Sequence, residues 1–340
     1  MKTTLIFLTA VFLICGSTTA AADPSDWTVA TPRSRGISVS IVNGRWQING
    51  SVTYPKSKAE GLLLNVRMVN AVFEDAKRPE FDPEANTTEF LAKIDEYTAH
   101  GVRAFTLNLQ GGMPGYEGAL NSAFSADGAL RHEYMKRVSR VIRACDRLGA
   151  VVILGCFYQR QDQILRDESA VRAAVLNVVR WIETNDCRNV LLEIANEFGH
   201  PGFDHPILKT AAGQIELVRL AKKAAPALLV STSGLGNGRL PEEVARASDF
   251  LLIHFNETPL TEIPNRIAAL KRYGKPIVCN EDAKLGKAGR RAVELSVENG
   301  ASWGLMAEHI NQRYPFTFRG PADDPDVYEK FKELAGPKRR

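Results

Sequence analysis

The chain has 340 residues, of which 44% are hydrophobic and 24% are charged, and these proportions are ordinary for a globular protein. Its formal net charge of +4 is small for this length and its basic residues are dispersed, which argues against a nucleic-acid-binding function. The cysteine spacings match no zinc or redox motif, and beyond the N-terminus no apolar run is long enough to cross a membrane. Composition therefore predicts neither a nucleic-acid partner nor a membrane span.

The first 22 residues have the pattern of a secretory signal peptide. Lys2 supplies a positive charge, residues 5–15 form an apolar run, and residues 20–22 are alanines that suit cleavage. The apolar run is too short to span a bilayer, which argues against a membrane anchor. We therefore expect a secreted or periplasmic protein, whose folded part follows an extended lead-in over residues 23–35.

Residues 37–54 alternate between apolar and polar side chains, as half-buried strands do. Within them, Asn43 and Gly44 form a strong signal for a two-residue hairpin turn. From Gly61 onward a strand-then-helix rhythm begins and repeats. The predicted strands cover residues 62–69, 103–109, 150–157, 189–195, 228–233, 249–255, 276–280 and 302–307.

Helical patterns separate these strands and follow the last one. They cover residues 87–100, 131–148, 168–184, 207–224, 241–247, 262–273, 287–299 and 325–335. Gly101, Gly149 and Gly274 directly follow three of these patterns, at the position where glycine commonly ends a helix. The chain therefore alternates strands and helices throughout its main part.

Eight alternating units require a parallel sheet with helical crossovers, and eight units close naturally into a barrel. An open doubly wound sheet is the rival fold, but no glycine-rich phosphate loop follows the first strand. We therefore predict an α/β protein with one (β/α)8 TIM barrel over residues 36–335. The prediction includes a short N-terminal β-hairpin and a basic tail over residues 336–340.

Two of the apolar runs end in a glutamate. NVLLEIANEFG, residues 189–199, carries Asn196 and Glu197 at its polar end, and KPIVCNED, residues 275–282, carries Glu281. Because ligands bind at the C-terminal ends of parallel barrel strands, we expect both glutamates at the mouth of the barrel. A pair of carboxylates is what cleavage of a glycosidic bond requires. An alternative is that Glu197 merely begins the next helix.

A third glutamate lies deeper in the same strand. Glu193, Ala195 and Glu197 alternate in the sequence, so their side chains point to the same side of the strand. A carboxylate this deep needs a cation or a hydrogen-bond donor as its partner. Arg67, on the first barrel strand, is the partner that the sequence suggests.

The two glutamate motifs resemble those of a known family. LLEIANEFG resembles the fourth-strand signature of the clan A glycoside hydrolases, especially the cellulase-like family five, in which an Asn-Glu pair ends the strand. GKPIVCNED, residues 274–282, is similar to the seventh-strand signature. The resemblance implies a retaining glycosidase that acts on a β-linked carbohydrate without a cofactor. Glu197 would be the acid/base and Glu281 the nucleophile, with Asn196 on the sugar 2-hydroxyl.

The resemblance also points to residues that would line the cleft. His254 matches the family's sixth-strand histidine, although a core histidine bonded to a backbone group is the alternative. Asn256 stands where an aromatic residue is more usual, and Tyr158 lies where a histidine often follows the third strand. We predict that these three side chains help to bind the substrate.

Two positions depart from the family pattern. Thr106 stands where an active-site arginine is expected on the second strand, and Arg67 could take its place. At the end of the eighth strand, Glu308 lies where a sugar-stacking tryptophan is usual, while Trp303 comes earlier and is predicted to be a core residue. Arg67 and Glu308 therefore join the predicted substrate-binding residues.

Two other functions remain open from the sequence. Glu197 with His200 and His205 offers a set of metal ligands, which would suit a metal-dependent barrel hydrolase. The departures at Thr106 and Glu308 are compatible with a barrel that binds carbohydrate but has lost catalysis. A glycosidase without a metal is the reading that the two strand-end glutamates favour.

Overall fold

The structure is a computed structural model that describes residues 36–337. The predicted signal peptide over residues 1–22, the lead-in over residues 23–35 and residues 338–340 of the predicted tail lie outside this part. Within residues 36–337, no helix combines the length and the apolar character needed to cross a bilayer.

A small antiparallel sheet covers the end of the barrel at which the barrel strands begin. Its strands are β1 (Val39–Val42), β2 (Arg45–Ile48) and β3 (Ser51–Val52), in the order β1-β2-β3. The β1–β2 turn is formed by Asn43 and Gly44, both with positive φ, as the sequence predicts for a two-residue hairpin turn. Trp46 of β2 is fully buried and packs edge-on against Phe250, with 5.4 Å between the ring centroids. Its apolar cluster includes residues near the N-terminal ends of the barrel strands, so the opposite end is left for a site.

Eight parallel strands form the barrel, which confirms the predicted fold. They are β4 (Asn65–Arg67), β5 (Ala104–Asn108), β6 (Val151–Phe157), β7 (Val190–Ala195), β8 (Val230–Ser231), β9 (Leu251–His254), β10 (Ile277–Glu281) and β11 (Gly304–Leu305). Six of them run in the order β11-β4-β5-β6-β7-β8, and β9 pairs with β10. Parallel bridges from Ser233 to Leu252 and from Val278 to Ser302 join the two sheets. This closure excludes the open doubly wound alternative.

Helices surround the barrel at every predicted place. In residues 36–337 they are α1 (Pro83–Leu91), α2 (Ile94–Ala99), α3 (His132–Arg147), α4 (Glu168–Thr184), α5 (Pro206–Lys209), α6 (Ala211–Ala224), α7 (Glu242–Ala247), α8 (Ile263–Lys271), α9 (Gly286–Glu298) and α10 (Pro325–Ala335). Two predicted helices are each divided in two. The division before α6 arises at Thr210, whose extended backbone and hydroxyl cap the new helix by accepting from the Gly213 N–H.

Polar side chains occupy much of the barrel interior. The fully buried residues of this set are Asn65, Arg67, Thr106, Asn108, Glu193, Ser231, Asn280 and Ser302. Glycines make room for two of the amides, since a Cβ on Gly155 would lie 2.6 Å from Asn108 Oδ1 and one on Gly304 would lie 2.0 Å from Asn65 Oδ1. Such an interior places polar groups beside the buried charges, as where Asn280 Nδ2 donates to Glu193 Oε2.

Trp303 is a core residue, as the sequence predicts. It is fully buried, and its ring packs against Phe331 with 5.9 Å between the centroids. Its indole Nε1 donates a hydrogen bond to Asp282 Oδ2 at 2.9 Å, while Lys284 Nζ lies 3.0 Å from the other oxygen. Burial raises the pKa of Asp282, so the carboxylate depends on these two donors.

Replacing Trp303 with phenylalanine is expected to destabilise the protein more than the same change at Trp46. Both tryptophans are fully buried and lose a similar apolar volume, but among residues 36–337 the Trp46 indole N–H has no hydrogen-bond partner. Only the Trp303 change deprives a buried carboxylate of a donor, which costs about 1–3 kcal/mol. Chemical denaturation of both variants measures the difference, and equal free energies of unfolding would contradict it.

Candidate active site

The two strand-end glutamates meet at the C-terminal mouth of the barrel. Glu281 is the last residue of β10, and Glu197 follows the end of β7 by two positions. One carboxylate oxygen from each glutamate and one ring nitrogen of His254 all lie within 4.8 Å of one another. The Glu197 side chain is 14% exposed and the Glu281 side chain 5%, so a ligand from solvent reaches Glu197 more easily.

The backbone at Glu197 turns sharply to bring its side chain to the barrel axis. Its φ of 52° is in the left-handed region, which is uncommon for a residue with a Cβ. The Glu197 N–H donates to Ser233 Oγ at 2.9 Å, and the next N–H, that of Phe198, donates to the Ser233 carbonyl at 3.0 Å. Ser233 was not among the predicted site residues, although its place just after a barrel strand is the signal that could have identified it.

Arg67 binds the second glutamate of the pair. Its side chain is fully buried, with Nε 2.8 Å from Glu281 Oε2 and Nη2 donating to Asn196 Oδ1 at 2.8 Å. Arg67 on β4 is paired in register with Thr106 on β5, and Thr106 is the position at which the family pattern expects an arginine. A guanidinium from the first strand thus reaches the site in place of one from the second, and it lies behind the glutamates.

Asn256 completes the surroundings of Glu281. Its Nδ2 donates to Glu281 Oε1, while the guanidinium of Arg67 faces Oε2. Each oxygen of this carboxylate therefore has a donor or a cation beside it. Asn256 is partly exposed, so it remains within reach of a bound ligand as well.

His254 lies between the two glutamates. Its side chain is fully buried, and Nδ1 is 3.1 Å from Glu197 Oε1 and 3.6 Å from Glu281 Oε2. Burial by itself would lower the pKa of His254, but the charge of Glu281 and the hydrogen bond to Glu197 outweigh it and raise that pKa. The alternative of a core histidine bonded to a backbone group does not fit, because Nδ1 faces carboxylates.

The pKa of Glu197 shifts in the opposite direction to that of His254. Burial would raise the pKa of Glu197, but the hydrogen bond and charge of His254 outweigh burial, so this pKa is lowered. The contact between His254 and Glu197 thus favours a proton on the imidazole over one on the carboxyl group.

Asn196 is held in place from both sides. Its Oδ1 accepts from Arg67, and its Nδ2 donates to Gln159 Oε1 at 3.1 Å. Tyr158, next to Gln159, is buried, and the Arg67 guanidinium carbon lies 6.0 Å from its ring centroid. Burial raises the pKa of Tyr158, so the phenol stays protonated. The amide of Asn196 is therefore fixed before any ligand binds.

Glu193 lies below the pair, and Asn280 is its hydrogen-bond donor, while the expected partner Arg67 acts on it through its charge. Arg67 forms its close ion pair with Glu281, whereas Asn280 Nδ2 donates to Glu193 Oε2 at 3.1 Å. The register of β10 against β9 shifts between Cys279 and Glu281, and this bulge leaves both Asn280 and Glu281 buried with polar contacts. Burial raises the pKa of Glu193, which favours its protonated form.

Glu308 lies at the rim, apart from this cluster. It begins the π-helical turn Glu308–Gln312, and Arg313 Nε donates to its Oε1 at 3.0 Å. Its side chain is 31% exposed. A role in substrate binding stays a prediction for this residue.

The barrel matches solved structures, whereas no family model and no curated protein matches the sequence. A GH5-4 broad specificity endoglucanase from Clostridium longisporum has a TM-score of 0.59 and 11% identity, over 84% of this chain and 98% of its own. An endo-1,4-beta-mannanase from Rhizomucor miehei has a TM-score of 0.59 and 11% identity, over 87% and 98%. The chain shares their barrel fold.

A third similar structure is that of an animal protein. The beta-mannanase from the blue mussel Mytilus edulis has a TM-score of 0.57 and 12% identity, over 89% of this chain and 99% of its own. At such low identities the likeness is one of fold. The chemistry has to be inferred from the residues at the barrel mouth.

The metal site suggested by the sequence does not form. His205 Nδ1 lies 2.8 Å from Asp162 Oδ2, and His200 Nδ1 accepts from the Gly202 N–H. Within residues 36–337, the group close enough to share an ion is Glu197, His254 and Glu281 instead. A divalent cation there would meet the Arg67 guanidinium beside Glu281 and would have to displace the proton of His254. This donor set is therefore better suited to proton transfer than to holding a metal.

Proposed function

We propose that the protein is an exported retaining glycoside hydrolase that cleaves a β-linked oligo- or polysaccharide without a metal. The close approach of Glu197 and Glu281 carries this proposal, since one oxygen of each carboxylate lies within 4.8 Å of one oxygen of the other. Retaining glycosidases hold their carboxyl groups about 5–5.5 Å apart, and inverting ones leave about 6.5–9.5 Å for a water molecule. The short spacing favours direct attack by a carboxylate on the sugar.

Glu281 is the proposed nucleophile. Arg67 and Asn256 orient its two oxygens and stabilise the carboxylate form that attack requires. Its carboxylate adds to the anomeric carbon as the bond to the leaving oxygen breaks, which gives a glycosyl ester. Water then releases the sugar, and the carboxylate is regenerated.

Glu197 is the proposed acid/base. It is the more exposed of the pair, so it can reach the leaving oxygen, to which it passes a proton in the first step. It removes a proton from the attacking water in the second step. We assign the second amide N–H of Asn196 to the sugar 2-hydroxyl, an interaction that strengthens at the transition state.

A β-linked polysaccharide is the proposed substrate class. The similar barrels named above are an endoglucanase and mannanases, which supports this class. Tyr158 and His254 are buried behind the glutamates, so they contribute to the shape and charge of the site. Export is part of the proposal, and the charged start and apolar run of residues 1–22 support it.

The stereochemistry of the product tests this function. The purified protein is screened against aryl β-glycosides, β-glucans and β-mannans, and proton NMR follows the first anomer that appears. We expect the β-anomer first and no effect of a chelator. An α-anomer first, or activity lost with the chelator, would contradict the mechanism, while binding without turnover on every glycan would identify a carbohydrate-binding barrel.

A further inference from the structure

We propose that His254 carries the acid proton of the resting enzyme and passes it to Glu197 when Glu281 loses its negative charge to the sugar. The inference rests on the proposed glycosidase function and adds a residue that acts through Glu197. His254 is therefore a positioning residue, because the glutamates separate it from the substrate.

The geometry of the imidazole supports this role. His254 is fully buried at the end of β9, and its Nδ1 faces Glu197 Oε1 at 3.1 Å and Glu281 Oε2 at 3.6 Å. Among residues 36–337, its buried Nε2 has no hydrogen-bond partner. Nδ1 is therefore the nitrogen whose proton can pass to a carboxylate, and its shorter path leads to Glu197.

The charges around His254 balance when the imidazole is protonated. The titratable and charged groups of the surrounding strands and loops are Arg67, Tyr158, Glu193, Glu197, His200, Glu281, Asp282 and Lys284. Asp282 and Lys284 pair with each other, and burial raises the pKa of Glu193 and of Tyr158, which favours their neutral forms. Arg67 and a protonated His254 then face the anions of Glu197 and Glu281, which leaves these four groups without net charge.

The first chemical step removes one of these anions. When a Glu281 oxygen bonds to the anomeric carbon, its carboxylate becomes a neutral ester, and the Nδ1 proton of His254 passes through Glu197 to the leaving oxygen. His254 is then neutral and Glu197 is again an anion beside Arg67, so the four groups still have no net charge. In the second step water supplies hydroxide to the anomeric carbon, and its proton returns through Glu197 to His254 as Glu281 is released.

The direction of transfer follows from electrostatics. The charge of Glu281 is the strongest influence favouring a protonated His254, against the opposing effect of burial. Once that charge is consumed, burial disfavours the imidazolium, and its proton moves through Glu197 to the leaving oxygen. Attack by the nucleophile and delivery of the acid proton are thereby coupled.

Nitrogen NMR of histidine-labelled protein tests the proposal without any substrate. Glu281→Gln removes the charge of the nucleophile, Glu216→Gln removes a charge on the exposed face of α6 as a control, and His254→Gln identifies the signal. We expect His254 to be an imidazolium at neutral pH, and its proton affinity to fall at least about tenfold in Glu281→Gln only. A neutral His254 in the unmodified protein, or an unchanged titration in Glu281→Gln, overturns the proposal whether or not the protein hydrolyses glycans.

The pH dependence of hydrolysis gives a second readout. The pKa of His254 is raised above its ordinary value of 6.5, so the imidazole should stay protonated at pH values above 6.5. Activity should therefore extend above pH 6.5 and fall where the imidazole loses its proton. In His254→Gln, Glu197 must hold the acid proton itself, so the fall of activity at high pH should begin at a lower pH. This difference between the two pH profiles should disappear for aryl glycosides whose leaving groups depart without being protonated. An unchanged basic limb with a poor leaving group overturns the proposal.

Discussion

Replacing Glu281 with glycine is expected to lower hydrolysis by about 10⁴-fold or more, and azide should restore turnover with an α-glycosyl azide as the product. The change removes the carboxylate that Arg67 and Asn256 hold against the sugar. A small anion can occupy the space that is left, beside the same guanidinium, and attack the anomeric carbon from the same face. A single displacement then inverts the configuration, which NMR of the product detects.

The same experiment on Glu197 separates the two roles. In Glu197→Gly, an activated aryl glycoside should still form the ester on Glu281, and azide should then displace it to give a β-glycosyl azide. Glu216→Gln, on the exposed face of α6, should keep its activity and needs no azide. A β-azide from the Glu281 variant would reverse the assignment of nucleophile and acid/base.

Replacing Arg67 with methionine is expected to lower the free energy of unfolding by about 3–5 kcal/mol. The guanidinium is fully buried against Glu281, which would be left as a buried charge without its cation, and Asn196 would lose a donor. Chemical denaturation measures the loss. Arg172→Met is the matched control, because its ion pair with Glu216 is exposed and should contribute at most about 1 kcal/mol.

A double variant tests the cause of that loss. Adding Glu281→Gln to Arg67→Met removes the stranded charge, so part of the lost stability should return and the two changes should not be additive. Arg172→Met combined with Glu216→Gln should be close to additive. If Arg67→Met costs no more than the control, the buried ion pair does not hold the site together.

The strand-and-helix rhythm made the barrel predictable because it rests on local patterns. Buried parallel strands are short apolar runs, and helices have apolar side chains at a period of about 3.6 residues, so both can be recognised within one segment. Asn43 and Gly44 marked the hairpin through turn chemistry, and Gly101, Gly149 and Gly274 adopt positive φ after their helices. The positions of Glu197 and Glu281 followed from the rule that barrel sites form at the C-terminal ends of strands.

The contacts between strands could not be obtained in this way. Sequence alternation placed Glu193 deep in the barrel and made Arg67 a candidate partner, but closure of the barrel forms the close ion pair of Arg67 with Glu281. The bulge in β10 leaves consecutive residues, Asn280 and Glu281, both buried with polar contacts, which a strict period of two does not allow. His254 was expected to line the cleft, and only the structure puts it between two carboxylates.

The sequence by itself thus determined the barrel, the two glutamates and the end of the barrel where they lie. The tertiary structure decided which charges pair and how they shift one another's pKa. The physical reason is that periodicity and turn signals act over a few neighbouring residues, whereas proton affinity depends on charges from β4, β7, β9 and β10, which meet only when the barrel closes.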